Sequence, residues 1–227
     1  LFLINIVVYT PFSKSSAPLN YANYDVAATP RPVVRLYWPA MKGMVVLCHP
    51  VEGSFCHAIA SEARGVLTEI GYVVEFHDLY NEGFDPVLTA AEVASRTTLD
   101  QQVQVHASEL RSSDRLVVVH PDWWGGPPAM LKGWVDRVFR PGIAYDWKGE
   151  ELEENSHIPL LGHVTTHVFV TSDRESDRPV VSLSAQWEEI CAYSGMTLRQ
   201  VRVFSSLRRS GLKKRRSYLR EVAALLK

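Results

Sequence analysis

Short apolar runs alternate with helical stripes along most of this chain, and that alternation leaves few folds open to it. Met44–Cys48 is an apolar run of the kind a buried strand makes. Ile59, Ala63, Val66, Leu67 and Ile70 follow at helical spacing, with Ser54 placed to cap the helix and Gly71 to end it. Further strands are expected at Tyr72–His77, Leu116–Val119, Val164–Val170 and Thr197–Phe204. Helices are expected between them. A mostly polar one covers about Thr89–Ser112, and a second carries the stripe Met130, Leu131, Trp134, Val135 and Val138. A third spans Val180–Tyr193, and the last bears Tyr218, Leu219, Val222, Leu225 and Leu226. Strands that alternate with helices make a parallel sheet covered on both faces. Five such units predict an α/β fold with a doubly wound five-stranded parallel sheet in the order 2-1-3-4-5. In that order strands 1 and 3 are neighbours whose chains leave to opposite faces. Ligands bind in the crevice at their carboxyl ends.

Composition narrows function more than fold. The 227 residues suit one domain with an appendage. A net charge of -1 gives no reason to expect a nucleic-acid partner. Cys48, Cys56 and Cys191 are scattered with no C-x-x-C pair, which points to a reducing compartment, the cytoplasm, and away from a disulfide framework. No apolar run is long enough to span a bilayer. Residues 1–40 stand apart. Leu1–Tyr9 is apolar but lacks the basic flank of a signal peptide, and Ser13–Ala40 is rich in Pro, Ser, Ala and Asn without periodicity. The expectation is a poorly ordered N-terminal extension, or an over-extended gene model, ahead of one domain over residues 41–227. A targeting segment is the alternative, against which the lack of an Arg-rich amphipathic pattern counts.

The unusual residues lie where the crevice is expected. Strand 1 runs out into "LCHPVEGSF" and strand 3 into "VVHPDWWGGPP". The first loop leads into a helix start, where the N–H groups of Ser54, Phe55 and Cys56 and the helix dipole make an anion site, with His49 as a further donor. That suits a phosphate. It is not the G-x-x-x-x-G-K-[ST] loop of nucleotide triphosphate enzymes. The plainer reading is that Ser54 is only a cap and His49 a strand-end histidine. In the second loop, Trp123 and Trp124 beside Gly125 and Gly126 suit one wall of a site for a flat aromatic ligand. The plainer reading there is core packing under a long loop. A metal at His49, His57, His120 and Asp122 finds no H-E-x-x-H or cysteine pair in support, so no metal is expected. A hydrolase reading is equally poor: Ser54 lacks the G-x-S-x-G elbow, and Cys56 would need His57 to lower its pKa. The basic cluster Arg208, Arg209, Lys213, Lys214, Arg215 and Arg216 reads as a solvated face, with a nucleotide phosphate or an anionic lipid surface as alternatives. Glu150–Asn155 reads as a solvated loop.

Three blocks, "CHPVEGSFCHA", "HDLYNEGFDPVLT" and "HPDWWGGPPAMLKGWVDRVFRPGIAYDW", resemble the flavodoxin-like NAD(P)H:quinone oxidoreductase family. That family includes mammalian and bacterial quinone reductases and the ancillary flavoproteins of glutathione-gated potassium efflux. The resemblance runs from Met44 to Trp147. It is most specific in the third block, where Pro121, Trp124, Pro128, Ala129, Leu131, Lys132, Gly133, Trp134, Asp136, Arg137 and Val138 match the pattern P-x-x-W-x-x-x-P-A-x-L-K-G-W-x-[DE]-R-V.

The resemblance implies a flavin enzyme that takes a hydride from NAD(P)H and passes two electrons to a quinone or similar electrophile. The short, bacterial-like core favours FMN over FAD. By resemblance, His49, Ser54, Phe55 and Cys56 hold the flavin phosphate, and Pro121, Asp122, Trp123, Trp124 and Gly125 contact the isoalloxazine ring. Thr171, Ser172 and Asp173 close the other side, and Tyr145 lines the substrate side. A homodimer is implied as well. Two departures stand out: Cys56 where the family often has Asn, and "VTSDRES" where it often has a Thr-Thr-Gly-Gly turn. Asp173 brings a negative charge to a place where the reduced ring needs a positive one. The alternative function is a flavin-binding regulatory partner of an ion transporter, with the basic C-terminal cluster as its contact surface.

Overall fold

The computed structural model describes residues 40–149, 156–175 and 181–227. Seven strands run in chain order: β1 (Lys42–Leu47), β2 (Val73–Asp78), β3 (Arg115–Pro121), β4 (Tyr145–Trp147), β5 (His157–Pro159), β6 (Thr165–Thr171) and β7 (Thr197–Phe204). Five of them form one parallel sheet in the order β2-β1-β3-β6-β7. Counted along that sheet alone, this is the expected 2-1-3-4-5. β1 and β3 are buried on both faces, as continuous apolar runs in a parallel sheet must be. The edge strands β2 and β7 start with exposed and half-buried positions in alternation and become more buried towards their carboxyl ends.

The period of two along the central strands sorts their side chains to two cores. Val45, Leu47, Val117 and Val119 point to one face, where α1 (Phe55–Glu69) and α6 (Leu212–Leu226) supply Ile59, Ala63, Val66, Tyr218 and Val222. Met44, Val46, Leu116 and Val118 point to the other. There α3 (Gln101–Ser112), α4 (Ala129–Val138) and α5 (Val181–Ser194) supply Leu110, Trp134, Leu183 and Trp187. Each fully buried side chain of this size contributes about 1.5–3 kcal/mol. Gly133 in α4 has a packing reason: a Cβ there would overlap the carbonyl of Pro86, so the loop after β2 lies directly on the helix backbone.

Two expectations need correction. The helix expected over Thr89–Ser112 is two helices, α2 (Ala90–Ser95) and α3. Thr89 and Glu92 form a capping box on the first, Arg96 ends it at φ 55, and Asp100 caps the second by accepting from the amides of Gln102 and Val103. Local capping overrides an unbroken helix because α2 has no buried residue to hold it in line. The segment after α4, outside the five expected strands, contains an antiparallel pair, β4 with β5. Three residues per strand give no period to read. The extension expected over residues 1–40 lies outside the described residues except for Ala40, and so does the loop Glu150–Asn155, whose neighbour Gly149 is the last described before it. Among the described residues no helix is long and apolar enough to cross a membrane.

Candidate functional site

Three loops meet at the carboxyl ends of β1, β3 and β6. The first leads into α1, whose opening amides have no intrahelical acceptor. Ser54 stands at the N-cap with extended backbone, but its side chain does not cap the helix. Its Oγ lies 2.8 Å from Nδ1 of His57, whose Nε2 lies 3.1 Å from Oδ2 of Asp78 at the end of β2. A carboxylate only accepts, so Nε2 of His57 donates to Asp78, and Nδ1 then accepts from the serine hydroxyl in the neutral ring. The expected serine cap is thus replaced by a serine, histidine, aspartate relay. The amides of Phe55 and Cys56 stay open to an anion at the positive end of the helix. His49 adds to this. Burial lowers its pKa, and its Nδ1 lies 3.1 Å from the Val51 amide and 3.3 Å from the Val51 carbonyl, which fixes the ring beside the helix start. Gly53, at φ 71 with open space around it, lets the loop turn.

The second and third loops are tied to each other by Asp122. Its amide donates to the carbonyl of Thr171 at 2.7 Å. Its carboxylate accepts from the Gly125 amide at 2.9 Å and from the Ser172 hydroxyl at 2.9 Å, and pairs with Nε of Arg174 at 2.8 Å. Cys56 joins α1 to the same place, with Sγ 3.2 Å from Oγ1 of Thr171. Burial pushes this thiol up to about 12, so Cys56 is a packed, protonated group and no nucleophile. His120, wholly buried, is lowered to about 4 by burial; it donates from Nδ1 to the Pro121 carbonyl and accepts at Nε2 from Trp187. It is a neutral strut of the core.

The tryptophans part company. Trp123 is half-exposed, and its ring lies 6.4 Å from that of His49, closing the gap between the first two loops. Trp124 is fully exposed and sits at φ 59, in the left-handed region that large side chains avoid. Core packing under a long loop is therefore excluded for Trp124. Its backbone is strained and its ring is left to solvent.

The structure gathers His49, Ser54, Phe55, Cys56, Pro121, Asp122, Trp123, Trp124, Gly125, Thr171, Ser172 and Asp173 at one edge of the sheet. Tyr145 is elsewhere. Its ring packs on Trp147, His157 and Tyr193, and Tyr193 lies in the last turn of α5, at the amino-end edge of the sheet. The basic cluster is only partly a solvated face. Arg208 pairs with Asp173 at 2.6 Å, and Arg215 donates to Ser210 and Leu207 and lies 6.0 Å over the ring of Phe55. Sequence reasoning missed the His57–Asp78 relay, although His57 stands at the third helical position, where a capping-box partner belongs.

Among the described residues, the group that gathers three ligating side chains is not the one weighed from sequence but His77, Glu82 and His106. Nδ1 of His106 accepts from the indole of Trp134 at 3.0 Å, which leaves its Nε2 protonated and donating to Glu82 at 3.2 Å. A metal would have to displace that proton. The cluster is a closed hydrogen-bond network that ties β2 to α3.

Comparison with known proteins agrees with this fold. A family model described as flavodoxin-like fold matches residues 41–226. The uncharacterized NAD(P)H oxidoreductase YcaK of Escherichia coli is 33% identical over 159 residues, covering 67% of this chain and 77% of that protein. NAD(P)H dehydrogenase [quinone] 1 of Cavia porcellus is 26% identical over 125 residues, 47% of this chain and 46% of that protein, so the chain matches about half its length. The crystal structure of Smu.1420 from Streptococcus mutans superposes with a TM-score of 0.67 at 26% identity, covering 82% of this chain and 98% of that one.

Proposed function

The chain belongs to the flavodoxin-like fold family, and from that premise we propose that it is an NAD(P)H-dependent flavin oxidoreductase acting on quinones or similar electrophiles. The observation that carries this reading is the meeting of two features at one sheet edge. Open amides at the start of α1 lie at the same sheet edge as the joined β3 and β6 loops, which carry an unpacked tryptophan. A phosphate at one end and a flat ring at the other describe FMN. Residues 41–227 form the flavin domain in this reading, and the cytoplasm is its place of action.

His49 and the opening amides of α1 would hold the phosphate, and Ser54 would join them by turning its hydroxyl proton from His57 to the phosphate. The Asp122 network would fix the two loops on either side of the ring, and Trp123 and Trp124 would wall it from water. When bound, the flavin supplies the hydride chemistry itself. Cys56 occupies its family position as a neutral group.

A second copy completes the reading. Tyr145 sits at the sheet edge away from these loops, so it reaches an acceptor only from a partner subunit, in a homodimer. The basic cluster stays largely exposed, Arg208 at 90%, and what favours the enzyme reading over the regulatory alternative is the naming of the relatives as NAD(P)H oxidoreductases and quinone dehydrogenases. The test is an absorption spectrum of protein incubated with FMN and desalted, before and after anaerobic NADPH or NADH. Retained flavin bands that bleach are expected. Protein that retains neither FMN nor FAD would overturn the proposal.

A further inference from the structure

The loop after β6 carries an ion pair whose two ends face different surroundings. Asp122 is 2% exposed, with both carboxylate oxygens satisfied by Gly125, Ser172 and Arg174. Arg174 is 43% exposed. Its guanidinium lies beside the Gly125 turn, so close that a Cβ on Gly125 would meet it at 3.2 Å. The carboxylate is therefore the inner partner and the guanidinium the outer one, between the two loops that line the cleft. The described acidic residues of the turn pair elsewhere, Glu175 with Arg209 and Asp173 with Arg208. Asp173 accepts from the Arg208 amide at 2.9 Å and pairs with its guanidinium, so its negative charge is neutralised on the side of Leu207–Arg209. Among the described residues of the loop, Arg174 thus turns the positive end of an ion pair outward, on an anchor that fixes its position. Arg suits such a place because its fork holds one partner while leaving other N–H groups free.

Resting on the flavin reading above, we infer that Arg174 is a potential-setting residue: the fixed positive charge that stabilises negative charge on a bound flavin ring, with Asp122 as its positioning residue. A ring that accepts a hydride from NAD(P)H, which leaves as NAD(P)+, gains one negative charge. A cation held in place beforehand by its own ion pair stabilises that charge without reorganising. The sign dispute raised by Asp173 is thereby resolved in favour of the positive group.

Sulfite tests this without turnover. It adds to the oxidised ring and leaves it negatively charged, so its affinity reads the local charge. With the full chain loaded with FMN, sulfite Kd is measured by bleaching, and the two-electron midpoint potential by dye equilibration. Arg174→Gln is expected to weaken sulfite binding about tenfold and to lower the potential by about 30 mV, the equivalent of tenfold for two electrons. Arg174→Lys keeps the charge and is expected to stay within about threefold of wild type. Equal loss in both variants would mean that shape, not charge, matters, and would overturn the inference. So would wild-type values in Arg174→Gln, or its failure to load at saturating FMN. Wild-type protein that takes up no flavin at all would instead overturn the functional reading itself.

Discussion

Trp124 shows what one residue can reveal that its neighbours in sequence cannot. Its positive φ costs about 1 kcal/mol, and its full exposure returns nothing to the folded state. Trp124→Gly should therefore raise stability by about 1 kcal/mol while weakening FMN retention, because an aromatic stacking partner is worth about 1–3 kcal/mol. Trp124→Ala should weaken retention about tenfold or more without the gain in stability. Denaturant midpoints and fluorescence titration with FMN check both; unchanged FMN affinity would remove Trp124 from the ring site. What the aromatic pair and its glycines made legible was a turn whose rings are not core, because Gly125 admits the positive φ that the turn needs. The role of Ser54 was less legible. A serine before a helical stripe predicts a cap, and only the fold shows that His57 and Asp78 draw its hydroxyl away. Arg174 was not legible as a site residue, since its meaning depends on Asp122, far away in the chain.

Elements hold the loops in place through contacts that no period announces. Gly133 is one: its missing Cβ admits the Pro86 carbonyl to the backbone of α4. Gly133→Ala forces that contact apart and should cost at least about 1–3 kcal/mol by thermal melt, more than the usual gain of alanine over glycine in a helix. A second tie is the network of His77 on β2, Glu82 in the loop after it, and His106 and Glu109 on α3. Burial alone would raise Glu82, but hydrogen bonds from His106 and His77 outweigh it and hold the carboxyl at about 2, against 4.5. Burial alone would likewise lower His77, and the two carboxylates that flank it raise it instead. A depressed carboxyl stabilises the fold above its unfolded pKa and loses that contribution as pH falls through the folded one. A raised histidine contributes below its unfolded pKa and loses that contribution as pH rises through its folded value. Glu82→Gln should then melt below wild type by about 2 kcal/mol near pH 6. The gap should narrow between about pH 4.5 and about pH 2, and also on the alkaline side as His77 deprotonates. A gap that does not change with pH would show that the loss is one of packing. Strands and helices with strong periods were placed from sequence to within a few residues. The break at Arg96 and the β4–β5 pair were not, because capping and three-residue strands leave no periodic trace.

At the scale of the whole molecule, the fold separates two things the sequence runs together. "DWWGG" and "AYDW" lie within one block of the family pattern, yet α4 carries the chain from one edge of the sheet to the other between them. A substrate site that uses both must therefore be built from two copies. Subunit mixing distinguishes this from a site within one chain. Trp124→Ala impairs the flavin end of a site, and Tyr145→Ala should impair turnover of a quinone while leaving FMN content near wild type. In a hybrid of the two variants, a shared architecture gives one site with both defects and one site with neither. Tagged hybrids purified after co-expression should then recover about half of wild-type turnover, above either parent dimer. If Tyr145 served its own chain's flavin, each site of the hybrid would carry one defect and nothing would be recovered. The same mixing also reports on the Arg174 charge. Arg174 and Trp124 belong to one chain's cleft, so a hybrid of Arg174→Gln with Trp124→Ala should show two impaired sites and no recovery. Recovery with Tyr145→Ala but not with Arg174→Gln would separate the residues that bind and tune the flavin from the one that meets the acceptor, and would assign the two groups to different subunits.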